Sequence, residues 1–191
     1  MTTIQSTEAR RLRTRVAVFA CIVLVALGID QVTKALAQLH LSQTQARVVI
    51  PGLLSLRLLR NPGASLGLGS GATWLISLIA VFACLAFIVL LLRTDSMAWT
   101  LALALAFAGA AGNLIDRIVY AQGFLNGRVV DFLDYGWSVG NVADVYLSLA
   151  AVIIIVLIVV GKPFNAVRSA QEAQEEAEAV VRSDSGQGGG R

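Results

Sequence analysis

The chain has 191 residues, of which 57% are hydrophobic and 14% are charged, and its mean hydropathy is +0.74. This balance is far from that of a water-soluble domain and predicts an integral membrane protein. The net charge of +3 comes largely from an N-terminal RRLRTR cluster, which is typical of a cytoplasmic membrane flank, and we expect no nucleic-acid partner.

The N-terminal region predicts a basic tail followed by a first membrane span. Residues 1–15 are polar, and we expect a mobile cytoplasmic tail there. A helix over about residues 16–36 would be about 30 Å long, enough to cross a bilayer. Its far end carries DQVTK, in which Asp30 and Lys34 are four residues apart and could pair. A cleaved secretory signal is the alternative, but the three further spans favour a membrane helix.

The middle of the chain predicts an external segment and two more spans. In residues 37–73, VVIPGLLSLRLLRNPGASLG predicts short strands joined by turns, hence a small extracytoplasmic sheet. Residues 74–92 are nearly all apolar and predict the second span. The short linker RTDSM predicts that the third span, about 98–116, returns antiparallel. The small residues 109–112 near its end would let another helix approach closely.

The last part of the chain predicts a second external segment, a fourth span and a tail. Residues 117–140 contain several glycine turn signals around VVDFLDYGW. Asn141 is the predicted N-cap of a span over about 141–161. Residues 163–191 are rich in Glu, Ala, Gln and Gly, and we expect a flexible cytoplasmic tail. Two cysteines and one histidine give no metal-ligand cluster, so we expect no metal site.

Seven basic residues of the short flanks fall on one side of these spans. They are Arg10, Arg11, Arg13, Arg15, Arg93, Lys162 and Arg168. The positive-inside rule makes that side cytoplasmic and places both termini inside. The sequence therefore predicts an all-α membrane protein of four transmembrane helices, N-in and C-in, with a small extracytoplasmic β-sheet. The membrane domain spans residues 16–162 and lies between the two tails.

Carboxylates converge at the predicted outer end. Ionisable groups beside lipid are costly and usually functional. Two carboxylates a few Å apart share one proton, and such a pair can activate water and polarise a peptide carbonyl. We predict that Asp131 and Asp144 form this pair, although spacing alone leaves Asp134 as an alternative to Asp131. Asp116 is adjacent to Arg117, and we expect it to be ion-paired and structural.

Five motifs in order resemble the bacterial lipoprotein signal peptidase (signal peptidase II) family. They are DQVTK at 30–34, NPGAS at 61–65, GNLIDR at 112–117, VVDF at 129–132 and NVAD at 141–144. Each motif is weak alone, but five in order among four spans are specific. The resemblance covers roughly residues 16–162.

The resemblance implies an aspartyl endopeptidase of the bacterial cytoplasmic membrane, with its active site at the extracytoplasmic face. It would cut diacylglyceryl-modified prolipoproteins just before the lipidated cysteine. Asp131 and Asp144 match the catalytic pair. Residues matching substrate-binding or pair-supporting positions are Asn61, Gly63, Gly112, Asn113, Arg117, Asn141 and Ala143, and those matching structural positions are Asp30, Lys34 and Asp116. No cofactor is implied, and we expect a monomer that contacts only substrate and membrane lipids.

Four positions in three motifs depart from the family pattern. Gly140 and Leu66 stand where the family usually has phenylalanine, and AGAAGN replaces the usual GGALGN. These changes affect packing around the predicted site and leave its carboxylates and amides in place. Two other functions are alternatives to a peptidase. A proton-coupled transporter should carry carboxylates at mid-bilayer and show repeat symmetry, whereas a membrane scaffold should tolerate Asp→Asn changes at the pair.

Overall fold

The computed structural model describes residues 2–63, 70–166 and 174, and for residues 2–8 it describes the backbone alone. Within these residues the helices are α1 (Thr2–His40), α2 (Thr73–Arg93), α3 (Met97–Val119) and α4 (Val142–Val159). The strands are β1 (Arg47–Ile50), β2 (Leu54–Asn61), β3 (Val129–Asp134) and β4 (Val139–Gly140), and a 3₁₀ turn at Ser70–Ala72 precedes α2.

Within the part of the chain that the structure describes, four helices are long and apolar enough to cross a membrane, which confirms the predicted number of spans. These segments are Ala9–His40, Thr73–Arg93, Met97–Val119 and Val142–Val159. The outward side chains of α2 and α4 are largely exposed apolar groups, as expected for surfaces that face lipid.

Helix α3 is central and packs against the other three helices. Its buried residues are mostly Ala and Gly, which allows the backbones to approach closely. A Cβ added at Gly109 would lie 2.5 Å from the Ala143 carbonyl oxygen of α4, so only glycine fits there. This contact confirms the close approach that the small residues predicted.

Helix α1 is longer than the predicted span of 16–36. It begins at Thr2 and runs to His40, so residues 2–15, where a mobile tail was expected, are helical. Once the apolar run has formed a helix, each further residue adds a hydrogen bond at little cost, and four of the residues before the run are arginines, which are good helix formers.

The sheet draws strands from both external segments, whereas the sequence predicted strands only in the first. All four strands are antiparallel, in the order β1-β2-β3-β4. In the β2–β3 pair, Leu59 lies opposite Asp131 and Asn61 lies opposite Val129. We call this end of the molecule the sheet end. The other end, which carries the start of α1, the end of α4 and the α2–α3 loop, we call the termini end.

At the termini end, residues 162–166 dock on the α2–α3 loop. The Phe164 carbonyl accepts hydrogen bonds from Thr94 Oγ1 at 2.6 Å and from the Asp95 amide at 3.3 Å. Trp99 Nε1 donates to the Lys162 carbonyl at 3.1 Å, and its ring meets that of Phe164 edge-on. The expected flexible tail therefore does not begin at residue 163, and its remainder lies outside the described residues apart from Gln174.

Candidate active site

The first turn of α4 fixes Asp144. Asn141 is the N-cap, and its side-chain oxygen accepts a hydrogen bond from the Asp144 amide at 3.2 Å. In return, Asp144 Oδ2 accepts a hydrogen bond from the Asn141 amide at 3.0 Å, which completes a capping box. Asn113 Nδ2 of α3 donates to Asp144 Oδ1 at 2.8 Å. Hydrogen bonds therefore orient both carboxylate oxygens of Asp144, and the predicted N-cap role of Asn141 is confirmed.

The sheet brings Asp131 to the same place. Asp131 lies on β3 and is 2% exposed, between the buried residues Val130 and Phe132. Asn61, at the end of β2, donates from Nδ2 to Asp131 Oδ2 at 2.8 Å. Asn141 Nδ2 donates to Asp131 Oδ1 at 2.6 Å. Asn141 therefore contacts both carboxylates, Asp131 with its side chain and Asp144 with its backbone.

Both carboxylates line one cavity of about 610 Å³ that opens at the sheet end. Its polar wall also carries Asn61, Asn113 and Arg117. Its apolar wall comes from helices α2, α3 and α4 and includes Ile76, Ile79, Ala80, Ala110, Val145 and Leu147. A cavity with one polar and one apolar wall suits a ligand that has a polar backbone and an apolar chain.

Burial raises the pKa of Asp131 from 3.8 to about 6. The hydrogen bond from Asn61 opposes this rise, the nearby Asp144 carboxylate adds to it, and the hydrogen bond from Asn141 and the charge of Lys34 lower the pKa again. A carboxyl group with such a pKa holds its proton in mildly acidic solution and loses it near neutral pH. The pair can therefore hold one proton in the range where a general acid and a general base must act together.

A buried ionic cluster supports the pair from behind. Lys34 Nζ lies 3.0 Å from Asp30 Oδ2 and 3.1 Å from Asp116 Oδ2, and all three side chains are almost fully buried. Lys34 also donates to Asn113 Oδ1 at 3.0 Å, and Asn113 in turn holds Asp144. The predicted pairing of Asp30 with Lys34 is confirmed. The expected pairing of Asp116 with Arg117 is corrected, because Asp116 pairs with Lys34 instead.

The two acidic groups of this cluster also hold backbone next to the pair. Asp30 Oδ1 accepts a hydrogen bond from the Ala143 amide at 2.9 Å, which fixes the start of α4. Asp116 Oδ2 accepts one from the Val130 amide at 2.9 Å, which fixes β3 beside Asp131. These contacts connect α1 and α3 to the two elements that carry the carboxylates.

Glycine and arginine complete the predicted set. A Cβ at Gly112 would lie 2.6 Å from Asp30 Oδ2, so the ionic cluster needs glycine at this position. Arg117 donates to the Gly63 carbonyl at 2.9 Å and to the Asn113 carbonyl at 3.2 Å. Arg117 thereby ties the chain after β2 to α3 at the cavity. The residues that follow Gly63, including Ala64, Ser65 and Leu66 of the NPGAS region, lie outside the described residues.

Asp134 does not join the pair. Its Oδ2 lies 3.1 Å from Arg57 Nε, an ion pair that lacks hydrogen-bond alignment, and its Oδ1 accepts from the Gly136 amide at 2.9 Å. Asp131, and not Asp134, lines the cavity with Asp144. Of the two residues that the spacing left open, Asp131 is therefore the one that shares the cavity with Asp144.

Sequence reasoning missed the residues of the β3–β4 turn that line the cavity. Tyr135, Trp137 and Ser138 all face it, and the Tyr135 and Trp137 rings stack at 6.2 Å. Trp137 is 76% exposed. The signal was an aromatic pair, Tyr-Gly-Trp, within a turn, and an exposed aromatic side chain beside a site indicates contact with a ligand or with lipid. At Gly140, which stands in place of the usual aromatic residue, a Cβ would lie 2.9 Å from Asp144 Oδ2.

Comparison with known proteins agrees with this geometry. Residues 22–160 match the family described as signal peptidase (SPase) II. A lipoprotein signal peptidase of Bifidobacterium longum subsp. infantis is 60% identical over 91% of this chain and 96% of its own length. That of Bifidobacterium adolescentis is 63% identical over 83% of this chain and 84% of its own. A solved structure described as a bacterial membrane enzyme is 29% identical, with a TM-score of 0.67 over 75% of this chain and 88% of that one.

Proposed function

Since this chain belongs to the signal peptidase II family, it is a multi-pass membrane peptidase that removes the signal peptide of prolipoproteins, and we propose that it does so by aspartic catalysis. Asp131 and Asp144 are the proposed catalytic residues. The observation that carries the proposal is that both carboxylates, contacted by Asn141, line one cavity.

The proposed reaction needs one proton on the pair. One carboxylate oxygen takes a proton from a water molecule, and the oxygen of that water attacks the scissile carbonyl. The protonated partner donates its proton to the carbonyl oxygen as the tetrahedral intermediate forms. When the C–N bond breaks, the proton taken from the water passes to the leaving amine, and one hydroxyl group of the intermediate returns its proton to the pair as the carboxylic acid product forms. The raised pKa of Asp131, a consequence of burial, supports a singly protonated pair.

The surrounding groups have proposed positioning roles. Asn61, Asn113 and Asn141 each donate a hydrogen bond to a carboxylate oxygen of the pair. These bonds fix the orientation of the two carboxyl groups. Arg117 and Gly63 shape the polar wall along which the substrate backbone would lie. The buried ionic cluster beneath them keeps α1, α3, α4 and β3 in one arrangement, so these amides do not have to be ordered when the substrate binds.

The apolar wall supports a lipidated substrate. It lies on helices whose outer faces meet lipid, so an acyl chain could enter from the membrane while the peptide lies at the carboxylates. We therefore propose that a diacylglyceryl-modified prolipoprotein binds here and is cut before its lipidated cysteine. Basic residues at the termini end support a cytoplasmic position for that end and an extracytoplasmic position for the site. We also propose that the enzyme acts as a monomer.

A cleavage assay on purified full-length protein tests the catalytic pair. The substrate is a lipidated prolipoprotein, processing is followed by gel shift, and the variants are Asp131→Asn, Asp144→Asn and Asp134→Asn. Loss of a general acid or base lowers the rate by about 10²–10⁴-fold, so D131N and D144N should each process the substrate at least about 10²-fold more slowly than wild type. D134N is the matched control and should retain activity, because its ion pair lies outside the cavity.

Thermal unfolding of each variant in detergent shows whether a loss of activity reflects misfolding. Processing at the wild-type rate by folded D131N or D144N would contradict the proposed chemistry and favour a non-catalytic role for that residue. An unlipidated prolipoprotein, run in parallel, tests the acyl-chain contact, since it should be cut more slowly than its lipidated form.

A further inference from the structure

The termini end contains a second cavity that the peptidase reaction does not use. Its volume is about 500 Å³, and the described residues that line it are Arg10, Arg11, Thr14, Arg15, Asp95 and Met97. Residues 10, 11, 14 and 15 lie on one face of α1, because the helix turns by 3.6 residues. The opposite wall is the loop between α2 and α3. Three arginines and one aspartate give this cavity a net positive charge.

The hydrogen bonds at this cavity leave capacity for an anionic ligand. Arg15 Nη1 reaches the Asp95 carbonyl only at 3.5 Å, and among the described residues no acceptor contacts the buried Arg15 Nε. The Asp95 carboxylate already accepts a hydrogen bond from the Ala166 amide at 3.0 Å. A buried guanidinium NH without an acceptor is costly, and a phosphate oxygen in the cavity would satisfy it.

The depth of the cavity matches a lipid headgroup. Arg15 and Lys34 lie 19 positions apart on α1, which is about 29 Å along the helix axis. The hydrocarbon core of a bilayer is about 30 Å thick, so when Lys34 lies at one boundary Arg15 lies at the other. Trp99 lies at the same end and hydrogen-bonds the Lys162 carbonyl, as is typical of an interfacial aromatic residue.

We propose that this cavity binds the phosphate headgroup of an anionic phospholipid from the cytoplasmic leaflet. The lipid phosphate would bind the three arginines, and its acyl chains would lie along the apolar surface of α1 above Arg15. Because the opposite wall is the loop to which residues 162–166 are hydrogen-bonded, a bound lipid would connect the start of α1 to that assembly. This inference rests on the cytoplasmic position of the termini end and does not depend on the peptidase chemistry.

Lipid titration of the full-length protein tests the proposal. Delipidated protein in a neutral detergent is titrated with phosphatidylglycerol, with phosphatidylcholine and with inorganic phosphate, and bound lipid is counted by native mass spectrometry. Arg10→Gln/Arg11→Gln removes two cavity arginines. Arg13→Gln/Arg93→Gln is the matched control, because it removes the same charge from exposed arginines at the same end that are outside the cavity lining.

Wild type and the control variant should bind one phosphatidylglycerol in preference to phosphatidylcholine. Each cavity arginine should contribute about fivefold in affinity, so R10Q/R11Q should bind about 25-fold more weakly. Arg15→Gln, measured separately, should also weaken binding, and unfolding without lipid checks that each variant is folded. Equal weakening by the control variant, no preference over phosphatidylcholine, or equally tight binding of inorganic phosphate would each overturn the proposal.

Discussion

Removal of the Asn61 side chain should move the pH dependence of cleavage. Asn61 Nδ2 donates to Asp131 Oδ2 at 2.8 Å, and this hydrogen bond lowers the pKa of Asp131 against the larger opposite effect of burial. Asn61→Ala removes the donor and keeps the carboxyl group buried. The pKa of Asp131 should therefore rise further above about 6. The alkaline limb of the activity profile, where the pair loses its shared proton, should then move to higher pH.

The size of this shift follows from the energy of the hydrogen bond. A hydrogen bond to a charged group contributes about 1.5–3 kcal/mol, and about 1.4 kcal/mol corresponds to one pH unit. Water that enters the cavity of the variant would replace part of the lost bond. We therefore expect the limb to move upward by about one pH unit. At a pH near 7, the variant should keep a larger fraction of its own maximal rate than wild type does.

The assay is kcat/KM for a lipidated prolipoprotein, measured across the pH range in one buffer series. This parameter reports the free enzyme, so the wild-type alkaline limb should lie near the pKa of about 6. Asn126→Ala is the matched control, because Asn126 accepts hydrogen bonds from the Gln122 and Gly123 amides and is outside the cavity lining. An N61A limb that is unmoved, or that moves to lower pH, would refute the assignment of this limb to Asp131.

Two further changes test the packing that holds the site. Lys34→Met would leave the buried carboxylates of Asp30 and Asp116 without their cation and should lower the unfolding free energy by about 3–5 kcal/mol. An unchanged melting temperature in detergent would contradict the stabilising role of the ionic cluster. Gly109→Ala would place a methyl group against α4 and should lower the unfolding free energy by about 1–3 kcal/mol. Gly28→Ala is the control and should not destabilise the protein, because the space around Gly28 is open. Equal melting temperatures for the two variants would argue against the close helix contact.

The outline of the fold and the pairing of Asp30 with Lys34 could be predicted because their signals are local. Largely apolar stretches that are long enough to cross a bilayer identify the helices, and a four-residue separation places two side chains on one helix face. The N-cap role of Asn141 was equally local, since it depends on Asp144 three residues later. The sequence did not predict that α1 begins at Thr2, because hydropathy identifies only the apolar part of a helix. The helix itself continues into the polar residues before that part.

The sheet and the partners of Asp116 and Asp131 could not be predicted in this way. The β2–β3 register joins segments about 70 residues apart, and it brings Asn61 onto Asp131. Lys34 of α1 pairs with Asp116 of α3, although Arg117 is the neighbour of Asp116 in the chain. Such contacts depend on how complete elements pack, and a spacing rule cannot rank them.

The sequence alone determined that this chain crosses a membrane four times and carries its acidic motifs at one end, because hydropathy and motif order are properties of short segments. Tertiary structure decided which acidic group of the second external segment lines the cavity with Asp144. It places Asp131 on the cavity and Asp134 with Arg57, although the two are only three residues apart on one strand. Alternate residues of a strand point to opposite faces, so the pairing of the sheet with the helices determines which of them reaches the site.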